Sequence, residues 1–139
     1  MTVGWSSIKN KRMARVVLDA SAVLAVLHGE TGADLVTNVL DDAVLSTVNY
    51  SEVLGKLIER GGTTAQARAA FASLDIQIIA FDTDLAERVA ELKKPTRSAG
   101  LSLADRVCLA LAGRERAPAV TADRRWSALT LGIEIKLIR

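Results

Sequence analysis

Four acidic residues stand where apolar, strand-like runs give way to helix-like ones. They are Asp19 in Val-Val-Leu-Asp-Ala-Ser, Glu52 in Val-Asn-Tyr-Ser-Glu-Val, Asp105 in Leu-Ser-Leu-Ala-Asp-Arg, and Asp123 in Val-Thr-Ala-Asp-Arg-Arg. In an open parallel α/β sheet the carboxyl ends of the strands share one edge, and ligands bind in the crevice there. Carboxylates gathered at such an edge repel one another, and a hard cation such as Mg²⁺ or Mn²⁺ relieves the repulsion through oxygen ligands. The chemistry indicated is that of a metal-dependent enzyme, with the four acids as its catalytic and metal-binding residues.

Each acid also has a plainer explanation. Ser102-x-x-Asp105 and Asn49-x-x-Glu52 have the form of capping boxes, Asp123 suits a helix N-cap, and so does an Asp that ends a first strand. Helix N-termini favour acids strongly enough to account for any one of the four. The joint pattern is harder to explain that way. Asp19 and Asp105 lie in very apolar surroundings, where an ionised carboxylate without a partner is costly, and a cation supplies the partner.

The elements that must position these acids alternate between strand and helix. Strands are expected over 16–19, 43–46, 77–81, 119–122 and 133–138. Helical spacing marks 21–27, 30–40, 48–60, 85–92, 102–112 and a short piece at 124–131. Thr63-x-x-Gln66 reads as a capping box for a further helix reaching about 74, Gly61-Gly62 stops the helix before it, and 95–100 is a polar loop. Strands alternating with helices imply a mostly parallel sheet covered on both faces, a three-layer α/β/α sandwich with right-handed crossovers.

Length and composition agree with one such domain over 14–139. A chain of 139 residues, half of them hydrophobic, buries roughly two thirds of its unfolded surface. The first thirteen residues precede the first strand without an apolar core segment and are expected to form a disordered extension. The longest apolar stretch, 16–27, is short for a membrane span and contains Asp19. The one cysteine, Cys108, lies in an apolar helical run as a small buried hydrophobe, cannot form an internal disulfide, and suits a reducing cytoplasm. A formal charge of +2 does not by itself identify a nucleic-acid binder.

Together the motifs resemble a known family. Val-Val-Leu-Asp-Ala-Ser-Ala-Val-Leu-Ala, Ser-Glu-Val, Gly-Leu-Ser-Leu-Ala-Asp-Arg-Val-Cys-Leu-Ala-Leu-Ala and Ala-Val-Thr-Ala-Asp-Arg-Arg-Trp look like the successive motifs of PIN-domain ribonucleases. Within that family the likeness is to the VapC-type toxins of bacterial toxin–antitoxin pairs. It covers the chain from about Ala14 onward, and the third and fourth motifs are its most specific parts. The resemblance implies an endoribonuclease using Mg²⁺ or Mn²⁺ held by Asp19, Glu52, Asp105 and Asp123. Thr121 and Ser21 match hydroxyls that help order such a site, with local backbone capping as the alternative. It also implies an RNA substrate, a homodimer and a cognate antitoxin whose Arg or Lys enters the acidic crevice.

The chemistry follows from the ligands. One or two hard cations lower the pKa of a bound water, orient it in line with phosphorus and neutralise charge on the scissile phosphate, leaving a 5′-phosphate and a 3′-hydroxyl. A histidine acid–base pair is excluded by count, since His28 is the only histidine and is expected to be a solvated residue in a turn beside Gly29. Arg106, Arg124 and Arg125 are candidate RNA contacts, with Lys93, Lys94 and Arg97 near the polar loop; ordinary solvated helix faces are the alternative for each. Trp126 is expected in the core or at a dimer contact.

Two other classes are weaker. A Mg-dependent phosphatase of the haloacid-dehalogenase type needs a second Asp two residues after the first, where Ser21 stands, and a receiver-type phosphoryl-transfer domain needs a lysine after a late strand, absent from Ala122-Asp123-Arg124. A catalytically silent PIN-like binding module is disfavoured because all four acids are present.

Overall fold

Strands β1 (Val16–Leu18), β2 (Ala43–Ser46) and β4 (Ala119–Thr121) are buried at every position, which is why they read as unbroken apolar runs and not as alternating ones. The protein, a computed structural model, is described over residues 15–139, so the extension expected at 1–13 lies outside the described residues. With β3 (Gln77–Ile79) and β5 (Ile135–Leu137) these strands form one parallel sheet in the order β3-β2-β1-β4-β5. Val17 pairs with Val44 on one side and with Ala119 on the other. The chain therefore starts in the middle of the sheet, winds out through β2 to β3, and returns to build β4 and β5 on the opposite side. The strand order reverses between β1 and β4, the place where open α/β sheets bind ligands.

Pleating sends Val16 and Leu18 to one face of the sheet and Val17 to the other. The first face carries α1 (Ala20–His28), α2 (Ala33–Thr37), α3 (Thr47–Glu59) and α4 (Thr64–Ala72), whose Val23, Val36, Val53 and Phe71 share its core. The second face carries α5 (Thr83–Glu91) and α6 (Leu103–Glu115) through Leu85, Val89 and a fully buried stretch of α6 from Val107 to Leu111. The result is the three-layer α/β/α sandwich. Trp126, wholly buried against the second face, belongs to the core.

Three expectations change. The helix expected over 30–40 is only α2, followed by a 3₁₀ turn at Leu40–Asp42. Gly32 sets its start: its φ of 96° is open to glycine, and a Cβ there would collide with the Ile138 carbonyl oxygen. The helix expected over 124–131 is a 3₁₀ turn, Arg124–Ala128. His28 is the last residue of α1, with its Nδ1 buried, and not a solvated turn residue. The Thr63/Gln66 capping box forms as read, both hydrogen bonds being present. Among the described residues no helix is long and apolar enough to cross a membrane.

Candidate active site

Asp19 follows β1 directly and occupies the N-cap position of α1, yet its carboxylate caps nothing. Its Oδ2 instead accepts hydrogen bonds from Ser21 Oγ and Thr121 Oγ1, each at 2.8 Å. Those hydroxyls accept in turn from the backbone of the turn after β4: Ala122 N–H donates to Ser21 and Asp123 N–H to Thr121, both at 3.0 Å. Each hydroxyl thus serves the backbone and the carboxylate at once and ties the end of β1 to the end of β4. Only 5% of Asp19 is exposed. Burial pushes its carboxyl up to about 6; the two hydroxyls pull it down, while the charges of Glu52 and Asp105 raise it further.

Glu52 arrives on α3, which starts at the end of β2. The cap is Ser46, whose Oγ accepts from Asn49 N–H at 3.0 Å and donates to Asn49 Oδ1 at 2.7 Å. The expected Asn49-x-x-Glu52 capping box therefore does not form: Asn49 is the third residue of the helix and Glu52 lies in its second turn. Asn49, fully buried, also donates to the Ala104 carbonyl at 3.2 Å, fastening α3 to the first turn of α6 beside Asp105. Sequence reasoning missed this link, although Ser46-x-x-Asn49 at a strand end was its visible signal. Glu52 Oε1 is buried without a hydrogen-bond partner among the described residues. Burial raises the Glu52 carboxyl, Asn49 pulls it back, Asp105 raises it and Lys56 lowers it.

Asp105 does form its box. Ser102 Oγ accepts from Asp105 N–H at 3.1 Å, and Asp105 Oδ2 accepts from Ser102 N–H at 2.9 Å. Asp123 caps its 3₁₀ turn by accepting Arg125 N–H at 3.0 Å, and the Arg125 guanidinium forks onto the same carboxylate, Nη2 lying 2.6 Å from Oδ2. Arg125 holds Asp123 below the usual carboxylate range. The other candidate RNA contacts are placed differently: Arg106 is half-buried beside Asp105, Arg124 is exposed, and Lys93, Lys94 and Arg97 are exposed on the turn leading into α6.

The PIN domain family model matches residues 16–130. The chain belongs to the PIN-domain family. Among solved structures, VapBC-5 from Mycobacterium tuberculosis, a member of the VapBC family of toxin–antitoxin systems, is 25% identical over 91% of this chain and 98% of its own, with a TM-score of 0.62. VapC20 from the same organism, a sarcin–ricin loop cleaving toxin, is 18% identical, with coverage of 86% and 98% and a TM-score of 0.66. VapBC2 from Rickettsia felis, bound to a DNA fragment from its promoter, is 14% identical, with coverage of 87% and 96% and a TM-score of 0.69. The last two share the fold. No curated protein matches the sequence.

In this PIN domain Asp105 stands close enough to Asp19 and Glu52 to raise the proton affinity of both, and Glu52 raises that of Asp19. Asp123 joins them through Thr121 on one side and through Arg125, 4.0 Å from Asp105 Oδ2, on the other. Among the described residues no three Asp, Glu, His or Cys side chains stand at the spacing of a ready metal cage. The donor set nonetheless fits a hard divalent cation in kind: carboxylate oxygens that repel one another, with Glu52 Oε1 buried and unpartnered. Cys108, buried behind them, has its thiol pushed well up, first by burial and then by Asp19, Asp105 and Glu52, so it offers no thiolate.

Proposed function

We propose that this PIN domain is an endoribonuclease toxin that cleaves RNA with the help of Mg²⁺ or Mn²⁺ and is neutralised by a cognate antitoxin. The observation that carries the reading is the convergence of Asp19, Glu52 and Asp105 at the sheet's switch point, with a buried Glu52 oxygen left unpartnered. These three would hold the cation, with Asp123 as a fourth ligand. A divalent ion there would activate water and neutralise charge on the scissile phosphate. The chain's own contribution is positional. Ser21 and Thr121 fix the Asp19 carboxylate and Asn49 holds the helix of Glu52 against that of Asp105, while Arg106 and Arg124 would meet phosphates flanking the crevice. His28 takes no part, since it ends α1 and Asp19 precedes that nine-residue helix, roughly 13 Å away along the axis.

Cleavage of RNA by the purified protein is expected with Mg²⁺ or Mn²⁺ and should cease in EDTA, returning when the metal is restored. Undiminished cleavage in chelator would remove the metal from the reading.

Likeness to toxin–antitoxin structures, including a toxin–antitoxin complex from Klebsiella pneumoniae, supports a protein partner. An electronegative crevice offers an antitoxin Arg or Lys the attraction it offers a metal. The protein should run as a homodimer, and coexpressed antitoxin should block cleavage by placing a cationic side chain among the acids. Light scattering that shows a monomer at micromolar concentration would refute the dimer; a complex with the crevice empty would refute the mode of inhibition.

A further inference from the structure

The basic residues at the crevice are not equivalent. Arg125 engages both oxygens of Asp123: its backbone N–H and Nε bond Oδ1 at 3.0 Å each, while Nε and Nη2 reach Oδ2 at 3.2 and 2.6 Å. Its Nη2 also lies 4.0 Å from Asp105 Oδ2, so one guanidinium spans two of the four acids. The backbone beneath it is fixed, because the next residue, Trp126, is wholly buried and Asp123 caps the turn. The Arg125 side chain is not fixed: 58% of it is exposed, and no contact besides these carboxylates holds its end among the described residues. Arg124, adjacent and of the same charge, makes no ion pair with the acids.

We propose that Arg125 is a built-in competitor for the cation site, occupying Asp123 and shielding Asp105 until a divalent ion displaces it. The inference rests on the metal reading above. With Arg125 in place each Asp123 oxygen accepts two hydrogen bonds, so a cation must compete with the guanidinium for the same lone pairs. An exposed ion pair is weak enough to yield to a doubly charged ion, and its fork geometry makes it strong enough to be felt. A released guanidinium is then available to a substrate phosphate, so metal entry and RNA binding would favour each other, as linkage requires.

The test is Mn²⁺ binding to the full chain by isothermal titration calorimetry, without RNA. Arg125→Ala should bind Mn²⁺ about three- to tenfold more tightly than the unaltered protein, the range open to an exposed but bidentate pair. Arg125→Lys, which keeps the charge and loses the fork, should fall between. Arg124→Ala should stay within about twofold, since its charge is solvated and screened. Adding Asp123→Asn to Arg125→Ala should abolish the gain, because the two residues act on each other. Equal or weaker binding by Arg125→Ala overturns the proposal, and so does an equal gain from Arg124→Ala, which would mean net charge alone. Those results leave the metal reading standing. If neither the unaltered protein nor any variant binds Mn²⁺, the metal reading and this inference fall together.

Discussion

Asp105→Asn is expected to slow RNA cleavage at least about a hundredfold while changing the stability of the metal-free protein by less than ~1 kcal/mol. Asp105 does two jobs with one carboxylate, and the substitution separates them. The amide keeps an oxygen that can accept from Ser102 N–H, so the cap on α6 survives in most part. What goes is the negative charge. A neutral oxygen is a poor ligand for Mg²⁺, and removing the charge also relieves Asp19 and Glu52, whose proton affinities it raises. Ser102→Ala is the complementary change: it breaks the cap, costs ~0.5–2 kcal/mol, and leaves the charge in place. Cleavage rates with Mn²⁺ and thermal unfolding without it, measured on both variants, decide the matter. An Asp105→Asn protein that cleaves normally beside an inactive Ser102→Ala would make Asp105 a helix cap and nothing more.

The two explanations of the acids turn out to coincide, and the fold explains why. A helix N-terminus presents unsatisfied N–H groups and a partial positive charge, which makes it a tolerable place for a carboxylate. In a parallel sheet a helix that directly follows a strand starts at the strand's carboxyl end, as α1 and α3 do here, so the same rule that stabilises an acid singly brings several to one edge. Helix α6 follows α5 instead, and the Asn49 bond to the Ala104 carbonyl fastens its first turn to α3. Asp105 and Asp123 cap as the sequence patterns suggest. Asp19 and Glu52 do not: Asp19 stands at a cap position but its hydrogen bonds go to Ser21 and Thr121, and Glu52 lies in the second turn of α3, capping nothing, which marks charges with another purpose.

Burial patterning made the central strands legible. The run 43–46 was read to the residue, and β1 and β4 each ended one residue earlier than expected, because a strand buried on both faces leaves an uninterrupted apolar signature. What the sequence concealed depends on tertiary contact. Thr47 and Val48 are β-branched and do not announce a helix, so α3 starts one residue before the expected position and its cap, Ser46, stands three residues before the expected Asn49. Gly32 breaks the expected helix over 30–40 because the far end of the chain passes over it at Ile138, a fact no local window contains. The Arg125 fork was hidden likewise, since it depends on the 3₁₀ turn that folds position 125 back over position 123.

Metal-free stability and metal affinity are expected to respond to pH in opposite directions, with Asp19 as the cause. Its carboxyl is raised to about 6 by burial, so the folded state holds this proton more tightly than the unfolded chain does. Its contribution is therefore most favourable below the ordinary carboxylate range, is lost as pH rises from about 4 to about 6, and above that stands as a cost of up to ~3 kcal/mol. Cation binding runs the other way, because the ion needs the charged form: Mn²⁺ affinity should fall as pH drops through about 6. Asp19→Asn should abolish Mn²⁺ binding, remove that part of the pH dependence, and stabilise the metal-free protein at neutral pH by ~1–3 kcal/mol. Comparing the variant with the unaltered protein matters, because Asp123 is depressed and its share of stability is lost on acidification, at lower pH. Denaturant unfolding at pH 5 and pH 7.5, on either side of the Asp19 value, measures the difference. A variant less stable than the unaltered protein at neutral pH would mean that the hydrogen bonds from Ser21 and Thr121 outweigh the burial of the charge, and that Asp19 holds β1 to β4 for the sake of the fold.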